Sequence, residues 1–283
     1  MTDTWTILQS VAIVSVFFCG FFGGILARIG QRHEFLTHSL NLGAAGVLLA
    51  AGCIHLLPDA SEELKKLDDY PLGSLLAYST VILLLVVHML AEYIAIYSLS
   101  RDRTDTTELV QVVSKRDAAI GAALSQQLTS NSPRRWAAAI VLVVALGFHS
   151  FLVGASLGVQ KEVKTVTEIF VPILAHKSLA AVALGSSIVK AHAPNHVFYT
   201  LITLFSLATP LGIVAGLAIA RFSGDQLWAA ICQALASGTF IYVAVFEIMP
   251  DALTVKDGLM RLLIRLLCLV VGYGLMAALA VWV

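Results

Sequence analysis

Charge is what this chain has least of. Charged residues occupy 13% of its 283 positions, against about a quarter in a typical soluble domain. The 18 Lys and Arg balance the 18 Asp and Glu, so the basic surplus that marks a nucleic-acid-binding protein is missing. The four cysteines lie in separate apolar stretches without a CxxC pair, which disfavours a disulfide framework and a thiolate zinc site. We therefore expect a membrane protein with no nucleic-acid partner.

Apolar residues, by contrast, fill 58% of the sequence and gather into long stretches. A helix needs about 20 mostly apolar residues to cross a lipid bilayer. The first stretch is preceded by no Lys or Arg, unlike a signal peptide, and we interpret it as a retained helix. We predict an all-α, polytopic membrane protein whose eight transmembrane helices lie near residues 5–28, 37–57, 74–98, 136–160, 166–189, 196–220, 226–249 and 259–282.

The distribution of Lys and Arg predicts which helix ends face the cytosol. With the N-terminus outside, the cytosolic segments hold twelve basic residues and the external segments five, as the positive-inside rule requires. Eight spans then leave both termini non-cytosolic. The one long connection, residues 101–135, is polar and is predicted as a cytosolic loop with one short helix near 106–124. This loop lies within a single transmembrane domain that covers residues 1–283.

Two internal echoes indicate inverted repeats. The second and seventh spans share a pattern at an offset of 192 residues: Gly46-x8-His55-x2-Pro58-Asp59-Ala60 and Gly238-x8-Glu247-x2-Pro250-Asp251-Ala252. The fourth and fifth spans share another at an offset of 27, which runs from His149 to Gly158 and from His176 to Gly185. Inverted repeats are typical of secondary transporters, whose substrate site lies near the membrane midplane where the repeats meet. Chance similarity between small apolar helices is the alternative.

Histidines within these spans are the candidate metal ligands. Ionisable side chains inside a span are costly and mark functional positions. His149 and His176 lie near the middle of repeat-related spans, and neutral imidazole is a common ligand for zinc and neighbouring transition metals. We predict one metal ion held by both, with Ser150 and Thr209 adding hydroxyl oxygens. A hydrogen bond between helices is the alternative for each histidine.

Small residues near these histidines predict how their helices pack. Gly154 and Gly158 are four positions apart, as in the small-xxx-small pattern of membrane helices, and Ala181 and Gly185 are the matching pair in the next span. We expect these positions to let the fourth and fifth helices approach closely and to bring the two histidines together.

Other histidines and carboxylates predict a path for the metal. His55 with Asp59 next to Pro58, and Glu247 with Asp251 next to Pro250, form two clusters that suit an entrance and an exit. A cation is drawn to oxygen ligands before it loses its water. Helix-end capping is the alternative interpretation of both clusters. His88 and Glu92 share one helix face as a structural pair, a proton relay or a secondary metal site. The predicted path comprises His55, Asp59, His88, Glu92, Glu247 and Asp251.

With these motifs the chain resembles the ZIP family of Zrt/Irt-like metal transporters. The family signature of the fourth helix is matched by His149-Ser-Phe-Leu-Val-Gly-Ala-Ser-Leu-Gly158. Segments His176-Lys177, 55–59, 205–212 and 238–251 are also similar to family segments. The resemblance covers all eight helices. It implies a ZIP-like helix bundle, a homodimer, an elevator-like motion, and a metal site between the fourth and fifth helices. It also implies import of zinc, iron or manganese into the cytosol.

Three positions depart from the family pattern. Many members carry a Glu where this chain has Val153 in the fourth helix and Ala180 in the fifth. The central site is then left with imidazoles and hydroxyls, and its carboxylate would have to come from Glu92, Glu247 or Glu168, or the affinity is low. Lys177 replaces a ligand of the second metal in two-metal members, and an ammonium there implies one metal rather than two.

The expected function is ATP-independent transport of a divalent metal into the cytosol, since no GxxxxGK[ST] loop is present. Zinc is expected first because two histidines favour softer metals. The metal is cargo, so no cofactor is expected. Alternatives are an iron or manganese importer, and a non-transporting metal-binding or regulatory relative. No enzyme is expected because the HExxH motif is absent. The plasma membrane is the expected location, with an organellar membrane as the alternative.

Overall fold

Eight long helices form the computed structural model, which describes residues 4–30, 33–116, 132–222, 226–253 and 258–282. Each contains a stretch long and apolar enough to cross a membrane, so all eight predicted spans are confirmed, although α2 continues to Lys65, eight residues beyond the predicted end at residue 57. The bounds are α1 Thr4–Gly30, α2 Glu34–Lys65, α3 Leu72–Arg116, α4 Ser132–Val159, α5 Val163–Lys190, α6 Asn195–Phe222, α7 from Gln226–Tyr242 through Val243–Ile248 to Met249–Ala252, and α8 Leu259–Trp282.

The third helix continues past its predicted end. α3 runs without a break to Arg116, so residues 101–105, predicted as loop, are helical, and residues 106–116 of the predicted short helix are part of α3. Residues 132–135, also predicted as loop, begin α4. In the sequence, the apolar part of α3 gives way to charged residues at Arg101. The polar turns beyond it continue the helix because its hydrogen bonds join backbone groups and do not depend on side-chain polarity. Residues 117–131, with the remainder of the short helix predicted near 106–124, lie outside the described residues.

Within the described residues, two π-helical segments interrupt α2 and α7 at equivalent positions. They are Ala51–Leu56 and Val243–Ile248, 192 positions apart like the sequence echo. Each precedes a turn with Pro58 or Pro250, whose missing N–H cannot bond the carbonyl four residues earlier. The backbone N–H groups of Leu57 and Met249 bond the carbonyl five residues earlier, as a π-helix requires. The shared local geometry supports the predicted repeat.

Glycines on α4 mark the closest approach of two helices, and their partners correct one prediction. A Cβ atom at Gly154 would lie 2.3 Å from the carbonyl oxygen of Thr209, and one at Gly158 would lie 2.2 Å from that of Ile213. Both carbonyls belong to α6, so the prediction that these glycines pack on α5 is wrong. Gly154 and Gly158 follow His149 by five and nine residues, which places them about 140° and 180° from it around the helix. The glycines therefore face away from the histidine.

The matching positions of α5 pack on α1. A Cβ atom at Gly185 would lie 2.8 Å from Cβ of Ala27. Gly46 of α2 and Gly238 of α7, which begin the 192-residue echo, pack closely on α8 and α3. The helices therefore pair as α4 with α6 and α5 with α1, and as α2 with α8 and α7 with α3. Such equivalent pairings are what two structural repeats predict.

Candidate metal centre

α4 and α5 bring two buried imidazoles together near the centre of the bundle. The ring centroids of His149 and His176 lie 5.7 Å apart, with the rings at 73° to each other. Zinc binds imidazole nitrogen at about 2.0–2.1 Å, which places the ring centroids of two ligands of one tetrahedral ion on the order of 5 Å apart. The two histidines predicted from the sequence are therefore adjacent, at nearly the separation that one shared ion requires.

A small cavity separates the two histidines. Its volume is about 10 Å³, and one water-sized sphere needs roughly 10–15 Å³, so it fits a single ion or water. None of its lining residues is Asp or Glu, and no three His, Cys, Asp or Glu side chains converge anywhere in the described part of the chain. The cavity is lined by His149, Ser150, Val153, Ile173, His176, Lys177, Ala180, Thr209 and Phe240.

A buried ammonium group occupies one side of this cavity. Lys177 Nζ donates hydrogen bonds to Ser150 Oγ at 2.9 Å, to Thr209 Oγ1 at 3.1 Å and to the carbonyl of Phe205 at 3.2 Å. It also lies 3.7 Å from the centroid of the Phe205 ring. An ammonium has three donors, and all three are used. Ser150 and Thr209, predicted as oxygen ligands, thus contact Lys177, and their binding of a metal stays a prediction.

α7 forms the wall behind the histidines. His149 Nδ1 lies 2.9 Å from the carbonyl oxygen of Ala236 and 3.0 Å from Thr239 Oγ1. The Phe240 ring stacks on His149 with a centroid distance of 3.4 Å and meets His176 edge-on at 4.8 Å. His149 Nε2 is buried, and none of the described residues forms a hydrogen bond with it.

Two larger cavities lie at opposite ends of α5. The Asp59-side cavity, of about 280 Å³, includes Glu168 of α5, and the Asp251-side cavity, of about 520 Å³, includes Ser187. These two residues are about 28 Å apart along the helix, close to the roughly 30 Å of a bilayer core, and His176 lies between them. Because the repeat-equivalent Asp59 and Asp251 line opposite ends, the repeat is inverted.

A comparison with known protein families identifies the family of this chain. The family described as ZIP Zinc transporter matches residues 6–280. The chain belongs to the ZIP zinc transporter family. Together with the eight apolar helices, this confirms the expected fold and a multi-pass integral membrane protein.

Similar proteins carry zinc transporter names. The chain is 29% identical to zinc transporter ZIP1 of Bos taurus, over 83% of this chain and 75% of the relative. It is 27% identical to probable zinc transporter 12 of Arabidopsis thaliana, over 96% of this chain and 85% of the relative. It is 38% identical to protein zntD of Dictyostelium discoideum, over 50% of this chain and 21% of the relative. The matched part therefore spans about a fifth of zntD and three quarters of ZIP1.

In this ZIP chain, the two residue clusters predicted as the entrance and the exit of the metal path are arranged differently. His55 Nδ1 lies 3.2 Å from Asp59 Oδ2 in the Asp59-side cavity, as the sequence pattern predicts. At the other end, Asp251 and Glu247 both line the Asp251-side cavity, but they have separate partners. Asp251 Oδ2 accepts a hydrogen bond from Lys190 Nζ at 2.5 Å, and this ion pair joins the ends of α5 and α7.

His88 contacts α7 more closely than it contacts its predicted partner on α3. Its Nε2 is 3.9 Å from Glu92 Oε2, whereas its Nδ1 is 2.6 Å from Glu247 Oε1 and 2.8 Å from the hydroxyl of Tyr242. The Tyr242 hydroxyl donates to the same Glu247 oxygen at 2.5 Å. His88, Glu92 and Glu247 line a third cavity with Asp251. Glu92, Glu247 and Glu168 therefore line other cavities than the central one.

Sequence reasoning missed two sets of residues. His38 is buried in α2, lines the Asp251-side cavity and lies 3.6 Å from Glu34; its i, i+4 spacing from that Glu at the start of a span was an available signal. Thr239 and Phe240 follow Gly238 of the echo, but no local pattern connects them to His149. Their contact is made by tertiary packing between α4 and α7.

Proposed function

We propose that this chain carries zinc across the membrane, from the Asp59-side cavity through the pair His149 and His176 to the Asp251-side cavity. The observation that carries the proposal is the buried imidazole pair, midway along α5 between two carboxylate-lined cavities. Membership of the ZIP family supports the coarser function, transport of a divalent metal. The zinc transporter names of the similar proteins support zinc as the cargo.

The direct ligands in this proposal are the two histidines alone. Ser150 and Thr209 are engaged by Lys177, and no carboxylate lines the central cavity. Two nitrogen ligands favour zinc over manganese, which prefers oxygen, and leave iron as the main competitor. The ammonium of Lys177 on one side of the cavity leaves space for one metal ion.

Transport requires the helices to move. The central cavity shares no lining residue with either larger cavity within the described structure, so an ion between the histidines is separated from both ends. We propose alternating exposure of the site, with net movement into the cytosol and no ATP. The twelve-to-five distribution of basic residues supports a cytosolic position for the Asp251-side cavity, and the missing phosphate-binding loop supports independence from ATP. We also propose that the chain forms a homodimer and acts in the plasma membrane.

Uptake of radioactive zinc tests this function. Cells that express the chain should take up zinc-65 saturably, with unlabelled zinc, iron, manganese and cadmium as competitors that rank the cargo. His149→Ala should reduce uptake to the level of cells without the protein. His33→Ala is the matched control. His33 is exposed and lines neither the central cavity nor the Asp59-side or Asp251-side cavity. Equal uptake by both variants would refute the site.

A non-transporting, metal-binding protein is the second candidate. Val153 and Ala180 line the central cavity where many family members have a carboxylate, and Lys177 adds a positive charge beside it. A metal dication in that setting is less well compensated, which would slow its passage. This candidate predicts zinc binding by the purified protein but no uptake by cells that carry the protein on their surface. Saturable uptake lost in His149→Ala excludes it.

A further inference from the structure

The partners of His149 on α7 determine which of its nitrogens carries the hydrogen. Nδ1 lies 2.9 Å from the carbonyl oxygen of Ala236, and a carbonyl oxygen can only accept a hydrogen bond. Nδ1 is therefore the donor, and in the neutral ring the lone pair is on Nε2. Nε2 is buried and forms no hydrogen bond with any described residue. The nitrogen left available to a metal is thus Nε2.

The hydroxyl of Thr239 completes the support of Nδ1. It donates its own hydrogen to the Ala236 carbonyl at 2.6 Å, so toward His149 it presents a lone pair, 3.0 Å from Nδ1. The Nδ1 hydrogen is then shared between two oxygens of α7. Phe240 covers one face of the ring. The imidazole is held by its edge and by its face, which fixes both its tautomer and its direction.

We infer that Thr239 is a positioning residue for the metal ligand His149, holding Nδ1–H so that Nε2 is presented to the ion. The inference rests on the proposed function for the role of His149. In metal sites generally, the partner of the second ring nitrogen sets the tautomer and raises the basicity of the ligating nitrogen, and its removal costs roughly 10–100-fold in metal affinity. Thr239 supplies one of the two partners of Nδ1, beside the Ala236 carbonyl, and both come from a different helix.

Within the described residues, only His149 has this support from another helix. The backbone partner of His176 is the carbonyl of Pro172 on its own helix, whereas His149 is tied to α7. A substitution at Thr239 therefore acts on one ligand of the pair. Because α4 carries the histidine and α7 carries its acceptors, any sliding of α4 along α7 must break these hydrogen bonds.

The matched variants are Thr239→Val and Thr80→Val. Both replace a buried threonine hydroxyl by a methyl group. Thr80, on the face of α3 that packs on α7 at Gly238, donates only to the carbonyl of Leu76 on its own helix. We expect Thr239→Val to weaken zinc binding by the purified protein, measured by isothermal titration, about tenfold. The KM for zinc-65 uptake should rise by a similar factor while the maximal rate per molecule is kept. Thr239→Ser, which restores the hydroxyl, should bind zinc like the unaltered chain.

Three outcomes would overturn the inference: unchanged zinc affinity in Thr239→Val, an equal loss in Thr80→Val, or no recovery in Thr239→Ser. The first leaves the proposed site intact if His149→Ala still abolishes binding. If the unaltered chain binds no zinc and shows no uptake, the proposed function fails first and the role of Thr239 fails with it. Titration of the unaltered chain therefore separates the two failures.

Discussion

α4 and α5 place equivalent histidines on opposite sides of one cavity but surround them differently. His149 is held by oxygens of α7, whereas His176 has no hydrogen-bond partner on another helix among the described residues. The residue after each histidine also differs, since Ser150 of α4 accepts a hydrogen bond from Lys177 of α5. The repeat has kept the backbone positions and changed the chemistry. One helix contributes a fixed ligand, and the other contributes a ligand together with the amine of Lys177.

The largest expected effect tests whether the two histidines share one ion. His149→Ala and His176→Ala should each bring zinc uptake to background, because each removes one of two nitrogen ligands. The loss should exceed the roughly 10–100-fold that follows removal of a ligand's hydrogen-bond partner. Uptake of zinc-65 per molecule at the cell surface measures it. Substantial uptake by either variant would show that the other histidine binds metal without it.

The second prediction concerns the face of α4 opposite His149. Gly154→Ala would place a methyl group 2.3 Å from a carbonyl oxygen of α6, and such overpacking should cost about 1–3 kcal/mol of stability. Gly147→Ala on the same helix meets open space and serves as the control. Thermal unfolding of the purified protein should show a lower midpoint for Gly154→Ala only. Equal midpoints would mean that α4 and α6 are not packed as described.

The third prediction compares the Asp59-side cavity with the Asp251-side cavity. Asp59→Asn and Asp251→Asn should each lower the initial rate of uptake at low zinc about two- to fivefold. The effect should be small because both carboxylates are about half exposed, and exposed ion pairs contribute only about 0.2–1 kcal/mol. Asp69→Asn, an exposed carboxylate that lines none of the described cavities, is the control. An unchanged rate in either variant would show that its cavity is not part of the metal path.

The smallest expected change is in the number of zinc ions that one protein molecule binds. Lys177→Asp replaces the ammonium by a carboxylate beside Ser150, Thr209 and the Phe205 carbonyl, and bound zinc per protein should rise from one to two. Lys177→Met removes the charge without adding a ligand and should leave one. Equilibrium dialysis against zinc gives the ratio. A ratio of one in Lys177→Asp would show that Lys177 does not occupy a second metal position.

The sequence was sufficient for the spans and for the histidine pair. Bilayer thickness sets the length of an apolar helix, so eight spans could be counted, and the repeat offset of 27 pointed to His149 and His176 together. Residues 101–105 were predicted as loop because they are polar, yet polarity alone does not stop a helix. The direction of Gly154 was mispredicted, although its angular distance from His149 around the helix was available from spacing alone.

Other features could not be obtained from local pattern. The contact of Thr239 with His149 joins residues 90 positions apart, and it depends on how α7 packs beside α4. The pairing of Glu247 with His88 rather than with its neighbours along the helix has the same origin. The π-helical turns ahead of Pro58 and Pro250 depend on how the backbone accommodates each proline in its packed environment.

The most direct test of the central claim is zinc X-ray absorption of the purified protein loaded with one equivalent of zinc. The account predicts two imidazole nitrogens at about 2.0–2.1 Å from the metal, and loss of both in the double variant His149→Ala, His176→Ala. A zinc environment without imidazole, or one that the double variant leaves unchanged, would contradict a metal site between α4 and α5.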